Sequence, residues 1–512
     1  MPATLPDQSN SSRSAILLLS LGVIKVVLHV LTINRYGYER DELYFIACAR
    51  RLAFGYVDHP PLVPWLTRLA GEVFGFSLFG LRVFPIIALA TALILTGLMA
   101  RRLGGGRFAQ ALAAVAFLIA PIYLRFGTFL NIPSLEVFFW SALAYTLILL
   151  IQKKDQRLWL LIGLIIGVGL LNKHTMIFGA FSLVLGLLLT PHRKHLLGKW
   201  IWLGAGLALL LFLPNLLWQA QHGFPTLEFV QNLNKDVMSK VSISEFVLGQ
   251  VLYLHPLSAP IWLLGLVHVF SKDGKDYRIL GWMFVVVLTL LLAAKSKIYY
   301  LAPLFPLLLA PGAVRIEQLI QRFCANWLKP TIFVALTGGA LVFVPIALPV
   351  FPIETLDAYV ERFAPRFIQD PAELTEHFHK EFGWENQVAT VAAVYHSLPS
   401  DEQVQAAILA GNYGEAAAVD FFGPAHGLPR SISGHHSYYL WGPGDASGDV
   451  VIAFGVPLET LLAIFDRVDP AATITHPYAP DFENDLPVYV CRKPRQPLDQ
   501  LWPRLKRFVR IN

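Results

Sequence analysis

The sequence predicts an α-helical polytopic membrane protein of about eleven crossings with a soluble α/β domain at its C-terminal end. Three observations predict it. The chain is 55% hydrophobic with a mean hydropathy of +0.54, and its 15% of charged residues is well below the ~25% of soluble domains. Apolar runs of crossing length recur as far as Val350, each closed by polar residues, and ~20 such residues cross a bilayer core. Beyond Val350 the runs stop, and Gly and Pro punctuate short elements.

The crossings fall at approximately 14–33, 83–100, 109–124, 133–151, 158–171, 176–190, 200–218, 246–270, 280–294, 298–314 and 330–350. With the N-terminus inside, the short inner loops carry most cations, among them Arg101, Arg102, Lys153, Lys154, Arg193 and Lys194. The short outer loops carry only Arg125, Lys173, Lys235, Lys240, Lys295 and Lys297. That is the positive-inside bias, and an odd number of crossings puts everything after Val350 outside. The net charge of +6 is thus spread as topology requires, which argues against a nucleic-acid partner. The polar stretch Met1 to Arg13 lacks a cleavage site after the first run, so that run reads as a retained signal-anchor.

The stretch Leu158 to Thr190 is too long for one crossing. At ~1.5 Å per residue it would extend ~50 Å, against a ~30 Å core. It must break at Asn172-Lys173-His174-Thr175, which sets Lys173 and His174 at the outer surface. The first outer loop, 34–82, defies the charge bias with its own arginines and is too apolar for a solvated linker. Leu43 to Leu52 and Pro61 to Phe74 have helical apolar spacing there, as expected of amphipathic helices lying in the interface. The membrane domain, 1–350, therefore includes this loop.

Residues 351–512 alternate strand-like and helix-like pieces: Val404 to Ala410, Val450 to Phe454, Leu458 to Phe465 and Pro487 to Cys491. They predict a small α/β domain. Gly411-Asn412-Tyr413-Gly414-Glu415 reads as a strand-to-helix turn, with anion binding as the rarer alternative. Gly434-His435-His436-Ser437-Tyr438-Tyr439 and Trp441 read either as a sugar-stacking surface or as an aromatic core strand with exposed histidines. Of the three cysteines, Cys324 lies on the opposite side from Cys48 and Cys491, and no metal-binding spacing exists.

The candidate chemistry gathers in the first outer loop. Asp41 suits a general base that deprotonates an acceptor hydroxyl, and it also suits a helix N-cap. Glu42 adjoins it, but neighbours on a helix point apart, so one acid does chemistry while the other pairs with arginine. Asp58-His59 can orient substrate or offer oxygen and nitrogen to a divalent cation; Asp-x-Pro-Pro is equally good turn chemistry. Lys173, with His174, can hold a lipid phosphate or simply snorkel. Lys295-Ser296-Lys297-Ile298-Tyr299-Tyr300 can grip a phosphate or form an aromatic belt. Lys25, His29 and His255-Pro256 lie inside crossings, where ionisable groups are functional suspects.

Arg40-Asp41-Glu42-x-Tyr44, then Tyr56-x-Asp58-His59-Pro60-Pro61-Leu62, then Phe79-Gly80-Leu81-Arg82 form a combination. It resembles the bacterial glycosyltransferase family 39, relatives of protein O-mannosyltransferases and of the aminoarabinose transferase that modifies lipid A. The resemblance runs from about residue 34 through the tenth crossing. It implies a GT-C fold and a polyprenyl-phosphate-linked sugar donor, used outside the bacterial cytoplasmic (inner) membrane with inversion. The acceptor would be a lipid, a glycan or a protein. Carried over by motif, Asp41 is the catalytic acid with Glu42 beside it, and Arg40, Tyr44, Asp58 and His59 bind substrate. Lys173, His174, Lys297, Tyr299 and Tyr300 then belong to the lipid-phosphate segments. The aminoarabinose transferases carry a Glu-His pair and an arginine near 219–245, where this chain reads Gln221-His222-Gly223-Phe224-Pro225-Thr226-Leu227-Glu228. No P-loop or Rossmann fingerprint occurs, so a divalent cation at Asp58 and His59 is the one candidate cofactor. A secondary transporter would need mid-membrane charges and repeated halves, and a non-catalytic scaffold would leave the paired acids without a purpose.

Overall fold

The computed structural model describes residues 8–236, 242–363 and 374–509. Lys240 and residues 1–7 of the polar N-terminus lie outside them. The chain divides into two compact units: Met1–Ile33, Arg82–Leu217 and Met238–Val350 form the first, and Asn34–Leu81, Trp218–Val237 and Phe351–Asn512 the second.

The described residues of the first unit form helices and the turns between them, and these helices stand where the apolar runs predict crossings. Among the described residues six are long and apolar enough to span: Ser12–Val30, Leu78–Arg102, Ile132–Lys153, Lys199–Gln221, Lys275–Ala293 and Leu328–Ala347. Three helix pairs pass the same test only when joined and are bent by 59° to 114° at a short break, and Arg107–Leu118 and Leu158–Asn172 are shorter apolar helices. The break after Asn172 occurs as length demands. The crossing at 246–270 is split by a 92° bend between Ile243–Tyr253 and Pro256–Phe270, and His255 takes φ 73° there. Proline removes a donor and cannot continue the preceding helix, so His255-Pro256 marks a hinge of the backbone.

Lys25 and His29 also have a structural explanation. Lys25 Nζ donates to Tyr123 O at 2.9 Å, and the His29 ring nitrogens lie 2.8 and 2.9 Å from Lys25 O and Leu124 O. Tyr123 and Leu124 belong to the short helix Pro121–Arg125, whose terminal carbonyls have no intrahelical partner. The two side chains therefore satisfy a buried helix end.

The second unit holds one five-stranded sheet. Its strands are β1 (Ala406–Ala410), β2 (Ser431–Ile432), β3 (Val450–Phe454), β4 (Phe465–Ile474) and β5 (Leu486–Pro494), in the order β2-β1-β3-β5-β4. β1 runs parallel to both β2 and β3; β5 is antiparallel to β3 and β4. Alternation in β4 is broken at Pro470, where the pairing with β5 shifts, which hides this strand in the sequence.

The first-loop helix, Arg40–Ala49, does not lie in the interface. Every residue but Asp41 is buried, and Leu43, Tyr44, Ala47, Cys48 and Tyr56 share one core with Ile408, Val419, Ile452 and Val490. Each large apolar side chain so buried contributes ~1.5–3 kcal/mol, enough to fix the loop as part of this unit. The apolar spacing reflects burial in protein, and the loop packs with Trp384, Val388, Ile408 and Tyr413 and bonds Gln219 and Thr226 through Tyr56 O. The next helix, Leu62–Phe74, does expose Leu69, Val73 and Phe74, as an interfacial helix would. Cys48 and Cys491 are buried thiols in separate core clusters.

Close helix crossings in the first unit depend on glycine. A Cβ on Gly265 would meet Leu308 O, and one on Gly312 would meet Ile261 O. Small residues let backbones approach in membranes. Gly312→Val should therefore cost at least the ~1–3 kcal/mol of ordinary overpacking, lowering the detergent unfolding midpoint. Gly206→Val, at a position with nothing within 4 Å, should not. Equal midpoints for the two variants would contradict this packing.

Candidate active site

The helix Arg40–Ala49 begins with a reciprocal cap. Glu39 accepts from Asp41 N–H at 2.6 Å, while Glu39 N–H donates to Glu42 Oε2 at 2.9 Å. This capping box satisfies the first helical donors. The N-cap is thus Glu39 and not Asp41, and Glu42 is fully buried in the cap. Asp41 keeps a side chain 41% exposed, 3.9 Å from Arg40 Nε.

Tyr413 supplies the partner for Asp41. Its hydroxyl donates to Asp41 Oδ1 at 2.7 Å, and burial raises the phenol well above its ordinary range, so it remains a donor. Asn412 caps the helix Tyr413–Phe422 through a second capping box with Glu415. The backbone N–H of Tyr413 donates to His435 Nδ1 at 3.2 Å, and His435 Nε2 donates to Val509 O at 2.7 Å. Burial lowers His435 to about 3, consistent with this neutral tautomer. The Arg40 guanidinium lies 5.3 Å from the Tyr413 ring centroid and 5.4 Å from that of Phe482. Arg40 Nε and Nη1 are buried without hydrogen-bond partners among the described residues.

Tyr44 ties this group to Asp58. Its hydroxyl donates to Asp58 Oδ1 at 3.0 Å and lies 2.8 Å from Ser437 Oγ. Burial raises the Asp58 carboxyl, while His59 and the Tyr44 bond pull it down. His59 Nδ1 donates to Pro60 O at 2.8 Å, and its buried Nε2 lies 3.9 Å from Asp58 Oδ1 with no hydrogen-bond partner among the described residues. Asp58 and His59 supply two donors. Among the described residues no group of three or more His, Cys, Asp or Glu is placed to hold a metal.

The segment 434–441 is not an aromatic core strand with exposed histidines. His436–Trp441 is a helix, and His435, His436 and Ser437 are buried. His436 takes φ 46° and stacks on His435 at 3.9 Å and Tyr413 at 5.2 Å. Burial keeps it neutral.

In the first unit, Lys173 Nζ pairs with Glu136 Oε2 at 2.8 Å, with the side chains 17% and 5% exposed. Thr175 donates to Glu136 Oε1 at 2.6 Å. Lys173 lies 4.1 Å from the Tyr300 ring centroid. Lys173 and Lys297 each lie 5.9 Å from the ring of Tyr299, which brings the two lysines around one tyrosine. His174 Nε2 lies 3.0 Å from Asn215 Oδ1, so its partner belongs to the helix Lys199–Gln221.

Comparison with known proteins follows the same lines. Residues 58–218 match the family model described as dolichyl-phosphate-mannose-protein mannosyltransferase. The chain is 25% identical over 300 residues to the lipid A galacturonosyltransferase of Rhizobium johnstonii, covering 56% of this chain and 62% of that protein. It is 33% identical over 129 residues to the undecaprenyl phosphate-alpha-4-amino-4-deoxy-L-arabinose arabinosyl transferase of Pseudomonas aeruginosa, covering 24% and 23%. The matches thus span less than two thirds of these curated relatives. The crystal structure of ArnT from Cupriavidus metallidurans bound to undecaprenyl phosphate matches with a TM-score of 0.58 at 15% identity, over 92% of this chain and 97% of that one.

The chain has the GT-C fold of ArnT. In this GT-C chain two groups around the predicted residues escaped the sequence reading. Tyr413 lies in a segment that reads in sequence as a strand-to-helix turn, with anion binding as the rarer alternative, and its hydroxyl donates to Asp41. Glu136 sits inside the run 133–151, where an intramembrane acid is a signal in its own right.

Two outcomes follow from these contacts. Removing one partner of a buried ion pair typically costs ~3–5 kcal/mol, so Lys173→Gln should lose folded yield that Lys173→Gln with Glu136→Gln recovers. Equal yields of the single and double variants would show that the pair carries no such penalty. The second concerns the acids Glu415 and Glu483, which share the Asn412 amide at 2.7 and 3.0 Å. Burial raises Glu415 and pushes Glu483 up to about 7, against the pull of Arg40. The folded state holds a proton that the unfolded chain releases above ~4.3. The resulting stability is full below that value and is lost as pH rises through about 7. The unfolding midpoint should fall from pH 5 to pH 8, and Glu483→Gln should flatten that slope; an unchanged slope in the variant would assign it elsewhere.

Proposed function

We propose that this protein is a glycosyltransferase that moves a sugar from a polyprenyl-phosphate donor to an acceptor on the outer side of the bacterial cytoplasmic membrane. One observation carries the reading: a half-exposed carboxylate, Asp41, is held by the Tyr413 hydroxyl beside the buried Arg40, whose Nε and Nη1 have no hydrogen-bond partner among the described residues. Asp41 takes the proton of the acceptor hydroxyl as the oxygen attacks the anomeric carbon. The bond to the phosphate oxygen breaks in line, its electron pair leaves with polyprenyl phosphate, and configuration inverts. Glu42 is spent on the helix cap, which favours Asp41 as the base.

Lys297 and Lys173 are assigned to the donor phosphate. An ammonium has three N–H donors, so Lys173 can serve a phosphate while one donor remains on Glu136. Tyr299 and Tyr300, with Tyr44 and Asp58, are assigned to substrate contacts, and His174 supports the Lys173 segment through Asn215. Two of the relatives' names support the donor: ArnT is bound to undecaprenyl phosphate, and the arabinosyl transferase is named for the same carrier. The galacturonosyltransferase of Rhizobium is named for lipid A, which favours an envelope glycolipid as acceptor here. Asp58 and His59 could give a divalent cation two ligands, the rest coming from water and the donor phosphate, as Mg²⁺ commonly arranges.

The test is turnover in nanodiscs. Wild-type protein given a polyprenyl-phosphate sugar and an envelope lipid fraction should release polyprenyl phosphate. Asp41→Asn should stay folded and lose roughly 10²–10⁴-fold in rate, the usual cost of removing a positioned base. Near-normal turnover by folded Asp41→Asn would move the base to another acid. No release by wild type from any such donor would contradict the proposed activity.

A further inference from the structure

The sheet of the second unit forms a groove that the proposed reaction does not use. β1 lies between two parallel neighbours, β2 and β3. The chain leaves β1 for β2 on one side and then returns past β1 to β3 on the other, so successive connections diverge at the carboxyl ends of β1 and β3. In open α/β sheets such a switch point is where a crevice opens and ligands bind. A groove of about 370 Å³ lies there, within the ~300–1,000 Å³ of small-molecule sites.

Backbone forms its floor. Gly411 ends β1 and Gly434 follows β2, and a Cβ on either would meet the backbone of Gly455 or Leu505. Thr460, after β3, contributes one wall, and Arg504 and Arg507 border the opening. The C-terminal segment that carries them is pinned. Arg507 N–H donates to Gly434 O at 2.8 Å, and His436 N–H donates to Arg507 O at 3.1 Å. Arg507 Nη1 donates to Gly411 O at 3.2 Å, which fixes the guanidinium at the end of β1. Arg504 is exposed. Neither arginine stands in a salt bridge among the described residues. The carboxyl that acts on Arg507, Glu415, is buried in its own helix cap and held toward its neutral form by that burial. A backbone floor with two guanidinium groups at its mouth suits an anion, because arginine binds phosphate and carboxylate through paired N–H donors.

We propose that this groove is a second ligand site, for a saccharide that bears a phosphate or a carboxylate, with Arg504 and Arg507 taking the anion. The saccharide half of the assignment rests on the glycosyltransferase reading; the anionic half rests on the groove alone. The site would engage an anionic part of the acceptor away from its reacting hydroxyl.

Binding to the full-length protein in nanodiscs decides it, with glucose 6-phosphate, glucuronate, inorganic phosphate and glucose as probes in calorimetric titration. Glucose 6-phosphate or glucuronate should bind, with the tighter of the two naming the anion, and glucose should bind at least tenfold more weakly. Arg504→Gln, an exposed change, and Thr460→Trp, which fills the groove, should each weaken that binding tenfold or more. Glucose as tight as the charged sugars, or wild-type affinity in both variants, would overturn the site. Inorganic phosphate as tight as glucose 6-phosphate would overturn its saccharide half. Polyprenyl phosphate release measured on the same samples separates the two ideas: charged-sugar binding without turnover would sink the transferase and leave the anion site standing. Turnover without charged-sugar binding would do the reverse.

Discussion

The hydrogen bond from Tyr413 to Asp41 joins residues 372 positions apart in the chain, and the local structure on both sides serves it. On the loop side, Glu39 takes over the capping duty, which releases the Asp41 carboxylate from its own helix. On the other side, Asn412 and His435 fix the first turn of the helix that presents Tyr413. Gly414 is required there, because a Cβ would meet Arg40. A hydrogen bond to an ionised group contributes ~1.5–3 kcal/mol. That energy is available only because burial and capping have already paid the cost of ordering both partners.

The first unit solves a different problem. A lysine near the end of a membrane helix is costly without a partner, and Glu136 provides one at 2.8 Å. Thr175 occupies the second carboxylate oxygen, so the acid is satisfied on both sides. The tyrosine rings 299 and 300 add their faces to the two lysines. The helix crossings beneath depend on Gly265, Gly312, Gly163 and Gly204, whose missing side chains permit the backbone contacts.

Much of this was legible in the sequence because bilayer thickness and apolar length are directly coupled. The runs located the helices, and the length of Leu158 to Thr190 required the break that sets Lys173 at a helix end. Periodicity failed where two environments share one signal. The spacing of Leu43, Ile46 and Ala47 fits a helix on a membrane as well as one sunk in a protein core, and the structure has the second. The segment 434–441 failed for a related reason: histidines look polar in sequence, yet here they are buried, neutral and stacked. The motif singles out Asp41, but not its hydrogen-bond partner. A tyrosine far along the chain carries no local mark of the carboxylate it will meet, and only the packing of loop against sheet domain brings them together.

A double-mutant cycle on transfer rate tests the Tyr413–Asp41 interaction most directly, using Tyr413→Phe in the wild-type and Asp41→Asn backgrounds. If Tyr413 acts by holding the Asp41 carboxylate, its loss should cost about ten- to a hundredfold in the wild type, the kinetic equivalent of ~1.5–3 kcal/mol. In the Asp41→Asn background the same change should cost little, with donor KM unaltered in both. The same rate factor in both backgrounds would show that Tyr413 acts independently of Asp41 and would contradict the central claim.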